Sequence, residues 1–298
     1  IYAKWGVDLL AGYQTLVHVA SGTFSQQADS GTGFDNTVSE YYIGKYEVTY
    51  DLWYSVFSWG STHGYQFANF GREGHDGTVG NSPTASRYEP VTTINWRDAI
   101  VWCNAYSEMS GLVPVYYSDS GFTVPHRDSR DGSYGASINN NSGSIDNPYV
   151  LSSANGFRLP TEGQWQYAAA YKNGTSWTPY NFASGATASY SDATATGVVA
   201  WHAGNSGSTT KTVGSKTANS LGIHDMSGNV WEWCVDWTAP YPGTAQNDYS
   251  YLTSGTVRIL KGGGYDSTPA AKLQISYRNG NYPYDEGSNH GFRLVRSN

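Results

Sequence analysis

The chain is poor in charge and in sulfur, and it contains no long apolar run. Charged residues make up 14% of the 298 residues, the formal net charge is −7 and no run of Lys or Arg occurs, which argues against a nucleic-acid partner. No apolar stretch approaches the roughly 20 residues that a membrane helix needs. Cys103 and Cys234 are the only cysteines, too few for a disulfide scaffold or a cysteine-rich metal site. They form one bridge or stay as buried thiols, and we expect thiols.

Aromatic residues and glycine are abundant instead. The chain has 11 Trp, 25 Tyr and 35 Gly, and large aromatic side chains fill irregular gaps in the core of a turn-rich fold. This composition is typical of a stable extracytoplasmic protein rather than of a helical cytosolic enzyme. Because the first residue is Ile1 and not Met, we expect that a leader or membrane anchor has been removed from a soluble mature domain. Although the length would allow two domains, we predict a single domain over residues 1–298.

Three helix starts are marked by capping residues. Thr49 is a good N-cap for a short helix. Asn95 followed by Asp98, and Thr161 followed by Gln164, form the capping-box pattern, in which each of the two side chains bonds to the backbone N–H of the other residue. Beyond the third helix the pattern predicts strands and loops only.

Strands are predicted on both sides of these helices, at residues 17–24, 41–48, 90–94, 258–261 and 291–296. Residues 118–153, by contrast, are mainly Ser, Gly, Asn and Asp, which predicts an insertion loop rather than a linker between domains. Few helices, short strands and long loops together predict an α+β fold.

The C-terminal third combines two apolar strands with a polar, aromatic segment between them. Residues 277–290 contain no aliphatic side chain and consist largely of Tyr, Asn, Ser, Gly and Asp. Antibody-like binding surfaces share this composition, because tyrosine gives rigid contact area and small polar residues give adaptable hydrogen bonds. A solvated polar loop has a similar composition, so both interpretations stay open at this point. Four buried residues are expected to fix the two ends of the segment: Ile259, Leu260, Phe292 and Leu294.

Six segments resemble, in order, the formylglycine-generating-enzyme or sulfatase-modifying-factor family. They are residues 46–49, 90–99, 156–168, 219–233, 258–264 and 291–293. Among them are Gly-Phe-Arg-Leu-Pro-Thr at 156–161 and Gly-Asn-Val-Trp-Glu-Trp at 228–233. Together they extend over nearly the whole chain. The resemblance implies a C-type-lectin-like fold that is rich in loops, with few helices and short antiparallel strands.

The resemblance also bears on catalysis. The family's oxygen-dependent enzymes use two cysteines in the segment after the glycine turn, which corresponds here to residues 265–279 and contains no cysteine. Hydroxyls and carboxylates do not replace thiolates as copper(I) ligands or redox groups, so no copper is expected. A second branch holds iron through a His-rich motif, but no HxxxH-type pair occurs here, and no iron is expected. We therefore expect that the protein is not an enzyme. The alternative is an oxygen-dependent or degenerate enzyme of the family.

A third branch of the family consists of variable ligand-binding proteins encoded by diversity-generating retroelements. In these proteins the C-terminal end of the domain is mutated at template adenines, and an Asn codon changed at its adenines yields Tyr, Ser, Asp, Gly and similar residues without a stop. Residues 265–285 fit that set. The resemblance therefore implies a display protein that binds a ligand through a variable segment of about 264–285. The candidate contact residues are Tyr265, Asp266, Ser267, Tyr277, Asn279, Asn281, Tyr282, Tyr284 and Asp285.

A structural calcium site and a cell-surface location are also implied by the resemblance. Family members hold Ca²⁺ near the loop before the conserved Trp, which corresponds to Asp225, Met226, Gly228 and Val230. One carboxylate and the backbone carbonyls of a tight turn would supply hard oxygen ligands. A packed Asp225 that caps the loop is an equal alternative. The expected partner is a protein or glycan on another cell or a host surface, with no nucleic acid, and the expected location is that of a cell-surface lipoprotein.

Overall fold

The computed structural model describes residues 15–130, 137–268 and 270–297. Its helices are α1 (Tyr50–Thr62), α2 (Trp96–Met109), α3 (Glu162–Ala170) and α4 (Ala193–Val199). Its strands are β1 (Leu16–Val19), β2 (Gly22–Gln27), β3 (Gly33–Val38), β4 (Tyr41–Gly44), β5 (Arg72–Glu73), β6 (Val91–Thr92), β7 (Tyr116–Tyr117), β8 (Tyr149–Val150), β9 (Trp231–Trp237), β10 (Gln246–Asn247), β11 (Arg258–Lys261), β12 (Asn279–Asn281), β13 (His290–Gly291) and β14 (Val295–Arg296). The α+β, loop-rich character predicted from the sequence is confirmed.

The three predicted helix caps are present. Thr49 accepts a hydrogen bond from the backbone N–H three residues further on, at 3.3 Å. Asn95 and Asp98 form a complete capping box, and so do Thr161 and Gln164. Helix α4 was not predicted, because its sequence Ala-Thr-Ala-Thr-Gly-Val-Val is rich in residues of low helix propensity.

The strands form three sheets and two ribbons. The sheets have the orders β1-β4-β14, β10-β3-β2 and β12-β11-β9-β13, and the ribbons pair β5 with β6 and β7 with β8. Two pairings, β3 with β10 and β9 with β13, are parallel, whereas only antiparallel strands were expected. The predicted strand over 291–296 is split into β13 and β14, and the one over 41–48 ends at Gly44. Apolar patterns did not reveal these breaks, since the residues between the strands are buried too.

Both ends of the C-terminal segment are fixed in the core, as predicted. Ile259, Leu260 and Phe292 are fully buried and Leu294 is almost so. The ring of Phe292 stands edge-on to Trp102, with the ring centroids 5.4 Å apart. The backbone carbonyls of Phe292 and Leu294 accept hydrogen bonds from residues at the end of β4 and beyond it. Substitutions between these ends therefore start from a well-anchored frame.

The two cysteines are free thiols, which confirms the expectation from the sequence. Cys103 and Cys234 are both fully buried, and burial raises the pKa of each thiol. A buried thiol with a raised pKa is unreactive. Among the helices that the structure describes, none has the length and apolar character required to cross a membrane.

Candidate functional site

A glycine turn aims the candidate segment away from β11. Gly262 and Gly263 have φ values of +89° and +76°, a region that residues with a Cβ rarely adopt. A Cβ atom on Gly263 would lie 2.9 Å from the side chain of Leu273 and 3.0 Å from the carbonyl oxygen of Lys272. The turn therefore requires glycine for space as well as for conformation.

Two of the candidate contact residues point inward from this turn, which corrects the prediction. Tyr265 is 4% exposed and Ser267 is 3% exposed. The N–H of Tyr265 donates to the carbonyl of Asn229 at 2.7 Å, and Ser267 Oγ accepts from the N–H of Gly264 at 2.8 Å. These bonds hold the turn against the core, so both side chains are buried beneath the candidate segment and do not face a ligand. Asp266, between them, is exposed.

The backbone of the loop over residues 282–287 is held by the start of α2. The carbonyl of Gly287 accepts the N–H of Thr93 at 2.9 Å. The carbonyl of Tyr284 accepts from the side-chain amide of Asn95 at 3.3 Å. A longer contact of 3.4 Å joins the N–H of Arg97 to the carbonyl of Pro283. The framework thus fixes the path of the loop through main-chain atoms, whatever side chains the loop carries.

The side chains of this loop stay largely outside that hydrogen-bond network. Tyr282 is 39% exposed, and its ring stacks on that of Tyr284 with the centroids 5.2 Å apart and the planes 3° from parallel. The guanidinium of Arg97 lies 5.7 Å from the centroid of the Tyr284 ring. The carboxylate of Asp285 has no hydrogen-bond or ion-pair partner in the described part of the chain. Two stacked aromatic rings beside an unpaired carboxylate form an adaptable contact surface.

The remaining candidates lie at the edge of the third sheet or beside it. Asn279 and Asn281 belong to β12, the edge strand, and both are half-buried. Asn281 Oδ1 accepts from the N–H of Tyr282 at 2.9 Å, so this side chain also shapes the loop. Tyr277 is half-buried, with its ring centroid 6.0 Å from that of Trp231. The structure therefore exposes Asp266 and Tyr282, whereas Tyr284 and Asp285 are half-buried like the other three candidates of this segment.

Arg278 lies within the same segment but belongs to the frame. Its guanidinium bonds to both carboxylate oxygens of Glu162, at 2.8 and 3.0 Å, and to the carbonyl of Ala239 at 2.8 Å. Glu162 is 1% exposed, and the amino group of Lys261 lies 3.8 Å from the same carboxylate. The segment therefore contains both residues that face solvent and residues that attach it to the core.

Asp225 supplies the only carboxylate among the four candidate calcium ligands. This residue is 3% exposed, and its Oδ2 accepts the N–H of Gly214 at 2.6 Å. Its Oδ1 is buried and has no partner among the described residues, and burial raises the pKa of the carboxyl to about 6. A hard cation would satisfy this oxygen, with carbonyls of Met226, Gly228 and Val230 as the other ligands. The described residues contain no group of three or more His, Cys, Asp or Glu side chains with metal-site geometry, so a site here would depend on carbonyls.

Sequence reasoning missed the buried charges that hold the loop before β9. Glu47 accepts from the N–H of Val230 at 3.1 Å and from the side-chain amide of Asn229 at 2.6 Å. Glu232 pairs through both oxygens with the fully buried Arg293. Burial, and then the charge of Asp225, raise the pKa of Glu47. The motif Tyr-Glu-Val-Thr at 46–49 indicates the end of a strand and the family resemblance, but it does not reveal that Glu47 holds this loop.

The fold is shared with known proteins. The structure resembles that of Treponema denticola variable protein 1, with a TM-score of 0.72 and 29% identity over 95% of each chain. It also resembles that of CarF, with a TM-score of 0.66 and 26% identity over 95% of this chain and 98% of CarF. The scaffold that carries the segment therefore resembles that of a variable protein.

Two sequence relatives differ in how much they share. Chaperone protein LppX of Paenibacillus barcinonensis is 33% identical over 301 aligned residues, which cover 95% of this chain and 89% of LppX. The formylglycine-generating enzyme of Streptomyces coelicolor is 30% identical over 156 residues, which cover 47% of this chain and 46% of the enzyme. The match to the enzyme thus spans about half of each protein. A family model for the sulfatase-modifying factor enzyme 1-like domain matches residues 10–298, and the chain therefore belongs to that family, with its loop-rich C-type-lectin-like fold.

Proposed function

We propose that this protein is a non-catalytic display protein that binds a ligand through residues 264–285, and that a retroelement diversifies this segment. The observation that carries the proposal concerns the loop over 282–287, in which the framework binds the backbone but not the exposed side chains. Framework donors at the start of α2 hold its backbone, while Tyr282 and Asp285 contribute no side-chain hydrogen bond to the frame. Such a surface tolerates exchange of its side chains. The similarity to the Treponema variable protein supports the same function.

The direct test is the gene and its genomic neighbourhood. The proposal expects a near-copy of the codons for residues 264–285 that differs from the gene only at adenines, next to a reverse-transcriptase gene. A gene without such a copy, in a fully sequenced genome, would contradict diversification. Binding would then be tested separately, with the purified domain against arrays of proteins and glycans.

The absence of catalysis is part of the proposal. Residues 265–279 contain no cysteine, and the two cysteines elsewhere are fully buried free thiols. An oxygen-dependent enzyme of the family is the alternative. Aerobic incubation with cysteine-containing peptides, followed by mass spectrometry and oxygen consumption, separates the two. Oxidised product above the level of a denatured control would overturn the non-catalytic proposal.

A second candidate function is that of a chaperone, favoured by the similarity to LppX over most of both chains. A chaperone of this kind would suppress aggregation of an unfolded secreted protein, followed by light scattering. If suppression occurs and is lost on replacing Tyr282 and Tyr284, the display surface itself holds the client. If it occurs and survives that change, chaperone activity lies elsewhere on the molecule and becomes the better description.

Location, partner and metal complete the proposal. We place the protein at the cell surface as a lipoprotein, where its ligand is a protein or glycan of another cell or host surface, and we assign Asp225 to a structural calcium ion. The location rests on the family resemblance of the sequence to variable surface proteins. Protease treatment of intact cells checks it, since a surface protein is degraded before the cells lyse.

A further inference from the structure

Residues 172–176, which follow α3, form a turn in which every residue is exposed. The turn is closed at its base, where Tyr171 and Trp177 form an antiparallel bridge and their rings meet edge-on, with the centroids 5.6 Å apart. The N–H of Thr178 donates to the carbonyl of Ala170 at 2.6 Å across the same base. The turn therefore projects into solvent from a fixed base.

This turn carries the sequence Asn173-Gly174-Thr175, which is an acceptor motif for asparagine-linked glycans. The side-chain oxygen of Asn173 accepts four hydrogen bonds, from the N–H and hydroxyl of Thr175 at 3.1 and 3.0 Å and from those of Ser176 at 2.8 and 2.8 Å. Because a backbone N–H can only donate, these bonds fix which atom of the amide is the oxygen. The amide nitrogen, Nδ2, has no hydrogen-bond partner among the described residues, and it belongs to an exposed side chain.

The four donors change the chemistry of the Asn173 amide. When a base removes a proton from Nδ2, the negative charge moves largely onto the amide oxygen. Hydrogen-bond donors that are already in place stabilise a charge that develops on such an oxygen. Nδ2 of Asn173 should therefore lose its proton and attack an electrophile more readily than the same atom of an asparagine whose oxygen lacks these donors.

We propose that Asn173 is an acceptor for asparagine-linked glycosylation. The co-substrate is a sugar that carries a phosphate or diphosphate leaving group on its anomeric carbon. Nδ2 forms a bond to the anomeric carbon, the bond from that carbon to the leaving-group oxygen breaks, and a base of the transferase takes the proton from Nδ2. Nothing is oxidised or reduced. The site is separate from the display surface, because no candidate contact residue belongs to residues 171–177.

The chain contains a second motif of this type, Asn140-Asn141-Ser142, with a different geometry. The side-chain oxygen of Asn140 accepts the N–H of Gly255 at 3.3 Å, and its backbone carbonyl accepts from the side-chain amide of Asn147 at 3.1 Å. Within the part of the chain that the structure describes, Ser142 donates no hydrogen bond to the Asn140 amide. Asn140 is thus held by remote residues and lacks the donors that its own motif could supply, so it should be a poor acceptor.

The test incubates the folded, purified protein with a soluble asparagine N-glycosyltransferase and UDP-glucose. Mass spectrometry of peptides from timed samples gives the rate of glucose attachment at each asparagine. Attachment at Asn173 should be about tenfold faster than at Asn140, the effect expected of one additional hydrogen bond on the amide oxygen. In Ser142→Thr both motifs end in threonine, and Asn173 should still react faster, because geometry and not the choice of hydroxyl residue sets the difference.

Ser176→Ala separates the geometry from the motif. Ser176 lies outside the three-residue motif but donates to the Asn173 oxygen through its hydroxyl, so the rate at Asn173 should fall about threefold to tenfold while the rate at Asn140 stays the same. Ser191→Ala removes the hydroxyl of another exposed serine and should change neither rate. The proposal is overturned if Asn173 of the folded wild type receives no glucose. Equal rates at the two asparagines in Ser142→Thr, or an unchanged rate in Ser176→Ala, would also overturn it.

Discussion

Replacing Tyr282, Tyr284 and Asp285 together by alanine should leave the fold intact. The main interaction lost is the stack of the two tyrosine rings, and an aromatic pair of this kind contributes about 0.5–1.5 kcal/mol. The carboxylate of Asp285 has no partner to lose in the described part of the chain. Since an unfolding entropy of about 2.1 cal/mol/K per residue makes 1 kcal/mol correspond to about 1.6 °C for a 298-residue domain, the expected decrease in Tm is about 1–2 °C.

Arg278→Ala is the matched control in the same segment. It removes two hydrogen bonds from the buried carboxylate of Glu162, which keeps the hydroxyl of Tyr241 as a donor at 2.8 Å and the amino group of Lys261 at 3.8 Å. Removing one partner of a buried ion pair costs about 3–5 kcal/mol. By the same conversion, this single substitution should lower the Tm by about 5–8 °C, more than the three surface changes together.

The assay is thermal unfolding of the wild type and both variants at one pH and salt concentration, followed by circular dichroism. Near-ultraviolet spectra check that the aromatic core stays packed in the folded state. The reasoning is refuted if the triple variant melts at or below the temperature of Arg278→Ala. In that case the loop side chains would carry part of the fold, and the loop would be unsuitable for diversification.

Three further predictions concern titration, metal and thiols. Burial raises the pKa of Asp236 to about 7, so the stability that this group contributes is greatest near pH 4 and is lost as the pH rises to 7. Relative to the wild type, Asp236→Asn should therefore gain about 1.4 kcal/mol of unfolding free energy per pH unit across that window in urea titrations, and a constant difference would contradict this. Calcium should raise the Tm of the wild type in scanning fluorimetry but not that of Asp225→Asn, with magnesium as the control ion. If calcium raised the Tm of both proteins equally, Asp225 would not be a calcium ligand. A reducing agent should leave the Tm unchanged, because Cys103 and Cys234 are unbridged, and a decrease would reveal a disulfide.

Helix starts were predictable because a capping box joins residues only three positions apart, as at Asn95 and Asp98. The lengths of the C-terminal strands were not, because their partners are remote in sequence. His290 pairs with Trp231, and Val295 pairs with Ile43. Only the folded chain decides which few residues of an apolar run find such a partner, so the predicted strand over 291–296 was too long.

The same limit applies to the site. Tyr265 and Tyr282 are the same residue type in one polar segment, yet one is 4% exposed and the other 39%. The difference comes from the bond between the N–H of Tyr265 and the carbonyl of Asn229, which pulls the turn inward. Composition identified the segment as a candidate surface, but it carried no information about such contacts. For this reason the individual contact residues were less predictable than the segment.

The alternation of outward and inward residues sets a constraint on diversification itself. Arg278 neutralises the buried Glu162, and Ser267 closes the glycine turn by accepting the N–H of Gly264. A mechanism that changed these codons freely would yield many unfolded products, whereas changes at Tyr282 or Asp285 would not. Copies of this gene from related strains should therefore vary at Tyr282 and Asp285 and keep Arg278 and Ser267. Equal variation at all four positions would mean that the inward contacts do not constrain the segment.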